Sequence, residues 1–124
     1  MDKGQRGRLN DASRGQGTEP LSGTVADRDQ KGQALEALGT TELRAREWRV
    51  AAEHLSRAIL APGRIYSAED AQLKLAFALH NGGQREAARR LFWELAKSTR
   101  ADIAARAEEA RSVLRRSPNA MLFW

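Results

Sequence analysis

Cysteine is absent from this 124-residue chain, and long apolar runs are absent too. Without cysteine there can be no disulfides, thiolate metal sites or cysteine nucleophiles. No apolar stretch approaches the roughly 20 residues that a helix needs to cross a bilayer. The first 30 residues also lack the apolar core of a secretory signal. These absences favour a cytoplasmic protein.

Motifs that carry catalytic or metal chemistry are equally scarce. His54 and His80 are the two histidines, and neither lies in a metal-binding spacing such as H-E-x-x-H. His54 falls on the polar side of a predicted helix, and His80 ends another, where a cationic side chain suits the helix dipole. Gly82-Gly83 lacks the Lys-Ser/Thr of a phosphate-binding loop and is typical of an interhelical turn. We therefore expect no enzyme, no metal and no cofactor.

Charge offers a second, weaker functional signal. The net charge is +5, and residues 85–116 carry nine basic and five acidic side chains. An excess of this size is typical of a solvated helical surface. A phosphate-binding face along Arg85–Arg116 is the alternative.

Three segments follow from composition and periodicity. Residues 1–30 are polar and contain Pro20, so they cannot bury enough apolar surface to order themselves and are predicted to be a disordered or loosely attached tail. Residues 31–116 show helical periodicity throughout, with a first helix predicted from about residue 34 to Arg46. Ser67 and Thr99 are predicted to cap later helices at 68–81 and after residue 100. Residues 117–124, the tail segment, are hydrophobic.

One pattern of six residues is written twice, 37 positions apart, and it is the most informative feature of the chain. Small residues recur where two helices would approach closely, and large apolar residues recur beside them. Repeats of this length built from helical pairs usually stack and hold a partner. The first copy has Leu35, Leu38, Gly39, Ala51, Leu55 and Ala58, and the second has Gln72, Leu75, Ala76, Ala88, Phe92 and Leu95.

These residues resemble the tetratricopeptide repeat family over about residues 32–115. The family pattern of Leu-Gly, an aromatic residue, spaced alanines and a closing proline is matched by Leu38-Gly39, Trp48, Ala51 and Pro62. Glu42 stands where an aromatic residue is common, and Leu95 where a small one is usual. The resemblance implies an all-α fold of antiparallel helix-turn-helix repeats, a right-handed solenoid of about five helices. An unrelated helical bundle is the alternative.

The resemblance also implies a concave groove lined by the first helix of each pair. The family's clamp for acidic peptide ends is not expected, because Thr40 and Phe77 stand where it uses lysine and asparagine. Leu73 and Phe77 instead suggest an apolar contact, unless a neighbouring helix or the tail segment buries them. The implied groove residues are Gln33, Glu36, Thr40, Leu43, Arg44, Leu73, Phe77, His80 and Asn81.

The tail segment is the most unusual local feature. Pro118 should end the last helix, and Met121, Leu122, Phe123 and Trp124 follow it. Four exposed apolar side chains would be a liability, so they either fold back onto the domain or dock onto another molecule. We hypothesise that groove and tail segment are complementary, within one molecule or between two copies.

Together these features predict a non-catalytic adaptor, or a chaperone-like or scaffold subunit, that binds a protein or peptide. A homodimer is one form this could take. The brevity and arginine content of the chain favour a bacterial-type assembly. The alternative function is a nucleic-acid-associated helical protein that uses the Arg85–Arg116 surface, and salt dependence would distinguish it.

Overall fold

The computed structural model describes residues 24–61, 63 and 68–124, and these residues form five α-helices without a strand. The expected all-α fold class is confirmed. The predicted disordered tail covered residues 1–30, and this is wrong for 25–30, which belong to the first helix. Residues 1–23 and the predicted cap at Ser67 lie outside the described residues. In chain order the helices are α1 (Val25–Arg44), α2 (Trp48–Leu60), α3 (Ala68–Asn81), α4 (Arg85–Leu95) and α5 (Ala101–Arg116).

The first helix begins earlier than its apolar periodicity indicates, at Val25. Thr24 Oγ1 accepts a hydrogen bond from the Asp27 amide at 3.0 Å, and Asp27 Oδ2 accepts one from the Thr24 amide at 3.2 Å. This reciprocal capping box satisfies two amides that the first turn would otherwise leave unpaired. The predicted start near residue 34 was wrong because the capping residues, and not the apolar stripe, set this end.

The turn after α1 and the turn after α3 have the same backbone geometry, 37 residues apart. Arg46 and Gly83 both have positive φ, 63° and 95°. In the first turn the Glu47 amide donates to the Glu42 carbonyl at 2.9 Å, and the equivalent bond in the second turn is 2.8 Å. Both turns are therefore Schellman motifs, which close a helix through one left-handed residue. Because Arg46 takes this conformation, α1 ends at Arg44.

The repeated pattern forms the contacts between paired helices. Gly39 lies against Leu55, and a Cβ atom at Gly39 would stand 2.6 Å from Leu55 Cγ. This close approach explains the glycine, since a side chain there would displace a buried leucine. The repeat residues buried in the core are Ala51, Leu55, Ala58, Ala76, Ala88, Phe92 and Leu95.

The helices are stacked in chain order, and α3 is central. Each helix packs against the next, α3 also contacts α1 and α5, and no other pair of the described helices is in contact. The interface between α4 and α5 is the smallest among consecutive helices. Buried side chains occur on most sides of α3, as its nearly all-round apolar sequence predicts.

The start of α5 differs from the prediction. Arg100, not Thr99, is the N-cap residue, and its side chain makes no capping hydrogen bond. The Arg100 guanidinium instead bonds Asp102 at 2.7 Å and Asp70 of α3 at 2.9 Å. The hydrogen bond from Arg100 lowers the pKa of the Asp102 carboxyl. An ion-pair network therefore joins the first turns of α3 and α5.

Candidate functional site

The tail segment folds back onto the surface formed by α3 and α5, which we call the α3–α5 face. A turn with a 2.9 Å bond from the Ala120 amide to the Ser117 carbonyl reverses the chain after α5. Leu122 is buried, whereas the intervening Phe123 is 69% exposed. This alternation is typical of an extended segment with one side against a surface.

Polar side chains of α3 hold the backbone of the tail segment. Asn81 Nδ2 donates to the Leu122 carbonyl at 2.7 Å, and the Leu122 amide donates to Asn81 Oδ1 at 2.9 Å. His80 Nε2 lies 2.6 Å from the Ala120 carbonyl oxygen. Since a carbonyl oxygen can only accept, Nε2 carries the proton of this bond. These three bonds go to main-chain atoms, so they place no demand on the docked side chains.

Trp124 fills a site bounded by an aromatic ring and two cations. Its ring meets Phe77 edge to face, with centroids 5.2 Å apart. The Arg106 guanidinium lies 4.5 Å from the Trp124 ring centroid, and Lys74 Nζ lies 5.2 Å from it. Both distances are within the range of cation–π attraction. Lys74 Nζ also pairs with Glu36 Oε2 of α1 at 2.6 Å, so α1 helps to orient it.

The structure brings together only part of the predicted groove. Phe77, His80 and Asn81 contact the tail segment. Of the two alternatives for that segment, it folds back onto its own domain. Leu43 and Leu73 belong to the hydrophobic core and are buried.

The remaining predicted groove residues lie on α1, and of these Glu36 acts on the tail contacts through its pair with Lys74. Gln33 and Arg44 are exposed. Thr40 Oγ1 donates to the Glu36 carbonyl within its own helix at 2.7 Å. The sequence prediction missed Lys74 and Arg106. Lys74 lies one helical turn before Phe77, and that spacing was the available signal.

The basic surface of residues 85–116 forms a separate cleft between α4 and α5. Its arginines are partly neutralised by neighbouring glutamates. Glu86 pairs with Arg89 and with Arg90, and the hydrogen bond from Arg89 lowers the pKa of the Glu86 carboxyl. Glu108 pairs in the same way with Arg111 at 2.7 Å.

The second histidine lies outside both surfaces. His54 Nδ1 is 2.7 Å from Glu42 Oε1, a link between α2 and α1. Within the described residues, no three His, Asp or Glu side chains are grouped to hold a metal ion. None of the described helices is long and apolar enough to cross a membrane.

Three comparisons with known proteins complete the description of the site. The chain matches no protein-family model, no curated protein and no solved structure. Its function is therefore inferred from specific contacts, since a helical fold alone is compatible with many functions. The contacts between the tail segment and the α3–α5 face are of this kind.

Proposed function

We propose that the chain is a non-catalytic protein-interaction module that binds an extended peptide segment on the α3–α5 face. The docked tail segment is the observation that carries this proposal. Asn81 and His80 bond its backbone, so the same side chains would hold another extended segment of suitable length. Such a module would serve as an adaptor or as a chaperone-like or scaffold subunit. A tetratricopeptide-like stack of helical pairs would display the face in the way the proposal requires.

The face also defines which peptides it would prefer. The Leu122 position is closed and apolar, and the Trp124 position is bounded by Phe77 and by two cations. A ligand should therefore present a large aliphatic side chain and, two residues later, an aromatic one. Aromatic side chains in desolvated pockets supply much of the affinity of protein interfaces.

The tail segment would compete with such a ligand. A tethered segment has an effective concentration on the order of millimolar when its linker is short. A partner must then displace the tail segment, and a second copy of the chain could do so with its own residues 117–124. A homodimer with exchanged tail segments is the second form of the same interaction.

A peptide-binding experiment tests the proposal. The full chain with Leu122→Ser and Trp124→Ser should release its tail segment and bind a labelled peptide of residues 117–124, measured by fluorescence anisotropy. The wild-type chain should bind the peptide more weakly, because its own tail competes. Adding Asn81→Ala to the Leu122→Ser/Trp124→Ser chain should weaken its binding of the peptide about tenfold, because two hydrogen bonds to the peptide backbone are lost.

Gln84→Ala is the matched control, because Gln84 is exposed and its side chain caps nothing. It should leave the affinity unchanged. If the released variant keeps its helical circular dichroism and binds no peptide, the α3–α5 face is not a peptide site. Sedimentation of the wild-type chain distinguishes a monomer with its own tail segment docked from a homodimer with exchanged tail segments. Exchange predicts that the dimer fraction rises with protein concentration.

A further inference from the structure

A second concave surface lies between α4 and α5, with a volume of about 1140 Å³. It exists because these two helices have the smallest interface of any consecutive pair. We call it the arginine cleft, because five arginines from both helices line it: Arg85, Arg89, Arg90, Arg111 and Arg115.

The arginine cleft keeps a positive charge after its internal ion pairs are considered. Two glutamates, Glu86 and Glu94, share the lining with the five arginines, and Glu108 beside it pairs with Arg111 and Arg115, which leaves a balance of +2 (five minus three). The side chains of Arg89 and Arg90 are 71% and 80% exposed, so their charges face water. None of the described residues pairs with Arg85 through a hydrogen bond or ion pair. The arginine side chains on the rim can therefore donate hydrogen bonds to carboxylates of another molecule.

Apolar side chains form the rest of the lining. Leu114 and Trp93, which is 49% exposed, line the cleft, and the fully buried Phe92 lies beneath them. Lys97 Nζ lies 3.2 Å from the Trp93 ring centroid and adds a further cation at this position. An apolar floor below a cationic rim matches a segment with large apolar side chains on one side and carboxylates on the other.

A phosphate backbone matches the arginine cleft less well. Glu86 and Glu94 are on the lining itself and would repel a chain of regularly spaced phosphates. The apolar floor would gain nothing from phosphates, whereas it could bury leucine or phenylalanine side chains.

We propose that the arginine cleft is a docking site for an acidic amphipathic peptide segment. This surface adjoins the tail contacts through His80 and Pro118, which also line the arginine cleft. Its arginines do not touch the docked side chains of the α3–α5 face, and the proposal does not depend on peptide binding there. Complementary charge would bring the segment to the rim and set its orientation, and burial of its apolar side chains would retain it.

A designed probe tests the proposal with the full chain. The probe is a labelled helical peptide of glutamate and leucine, about 15 residues long, with its leucines on one side. A peptide of the same composition in scrambled order and a single-stranded oligothymidylate are the comparison ligands. We expect the amphipathic peptide to bind more tightly than either.

Charge-reversal variants locate the binding. Arg85→Glu with Arg89→Glu should weaken binding of the amphipathic peptide by about tenfold or more, because attraction becomes repulsion. Arg44→Glu with Arg57→Glu changes the net charge equally at exposed positions of α1 and α2, and should change affinity less than about twofold. Circular dichroism checks that all variants keep their helices.

Three results would overturn the proposal. Equal weakening by both double variants would show attraction to the net charge of the molecule alone. Equal binding of the scrambled peptide would show that the apolar floor takes no part. Tighter binding of the oligothymidylate, lost in the Arg85/Arg89 variant, would assign the arginine cleft to nucleic acid.

Discussion

The two copies of the repeated pattern reach the same burial wherever paired helices face each other. Ala51 and Ala88 are fully buried, and so are Leu55 and Phe92. They differ at an outer position of the first helix of each pair: Leu38 is 45% exposed, whereas its counterpart Leu75 is partly buried against the core. The pattern therefore determines packing within a helical pair, and the place of the pair in the stack determines the burial of its outer side.

A second difference lies between α1 and α2. Glu42 and His54 form a polar pair there, and the equivalent positions between α3 and α4 are Leu79 and Leu91, which pack against the core. The same two positions are thus polar in one copy and apolar in the other. The difference is tolerated because the polar pair is internally satisfied.

Truncation of the two large repeat residues should have the largest effect. Phe92→Ala should cost about 3–5 kcal/mol and Leu55→Ala about 2–5 kcal/mol, because each leaves a cavity in a fully buried position. Urea unfolding followed by circular dichroism measures both. Leu60→Ala, at a position 83% exposed, is the control and should cost under about 0.5 kcal/mol. A neutral Leu55→Ala would mean that the first pair does not unfold with the second.

Exchange of the polar pair for its apolar equivalent should have an intermediate effect. His54→Leu alone leaves the buried Glu42 carboxylate without its partner and should cost about 1–3 kcal/mol. Glu42→Leu with His54→Leu should recover to within about 1 kcal/mol of wild type or exceed it, as apolar replacement of buried pairs often does. A double-mutant cycle, measured by thermal or urea unfolding, gives the coupling free energy between Glu42 and His54. Strict additivity would show that the two contacts are not equivalent.

Exchange of the turn residues should have the smallest effect. Arg46→Gly should stabilise the chain by about 0.5–1 kcal/mol, because glycine adopts positive φ without the steric cost of a side chain. Gly83→Ala should destabilise it by about 1 kcal/mol for the opposite reason. Melting temperatures of the two variants should shift in opposite directions. A shift in the same direction would contradict the equivalence of the turns.

Much of the fold could be predicted from the sequence, because spaced small and large residues encode contacts between neighbouring helices. The buried positions Ala51, Ala88 and Phe92 and the glycine turn at Gly83 followed from that pattern. The positive φ of Arg46 did not, since the backbone hydrogen bonds of a Schellman turn can impose it on a residue other than glycine.

The candidate site was less predictable, because its contacts join residues far apart in the chain. The apolar pattern at Phe77 and the hydrophobic tail segment indicated that each needed a partner. The sequence left open whether that partner was in the same molecule. The cations beside Trp124 were missed because Arg106 comes from a different helix, and only the docking of the tail segment unites them.

The stacked arrangement has a consequence for the order of folding. Contacts between consecutive or next-but-one helices close short loops, and helical chains of this kind fold within microseconds to milliseconds. The bonds between Asn81 and Leu122 join residues 41 positions apart and require α3 and α5 to be in place first. Docking of the tail segment should therefore be the last event in folding. Hydrogen exchange at the Leu122 amide would report that event separately from formation of the helices.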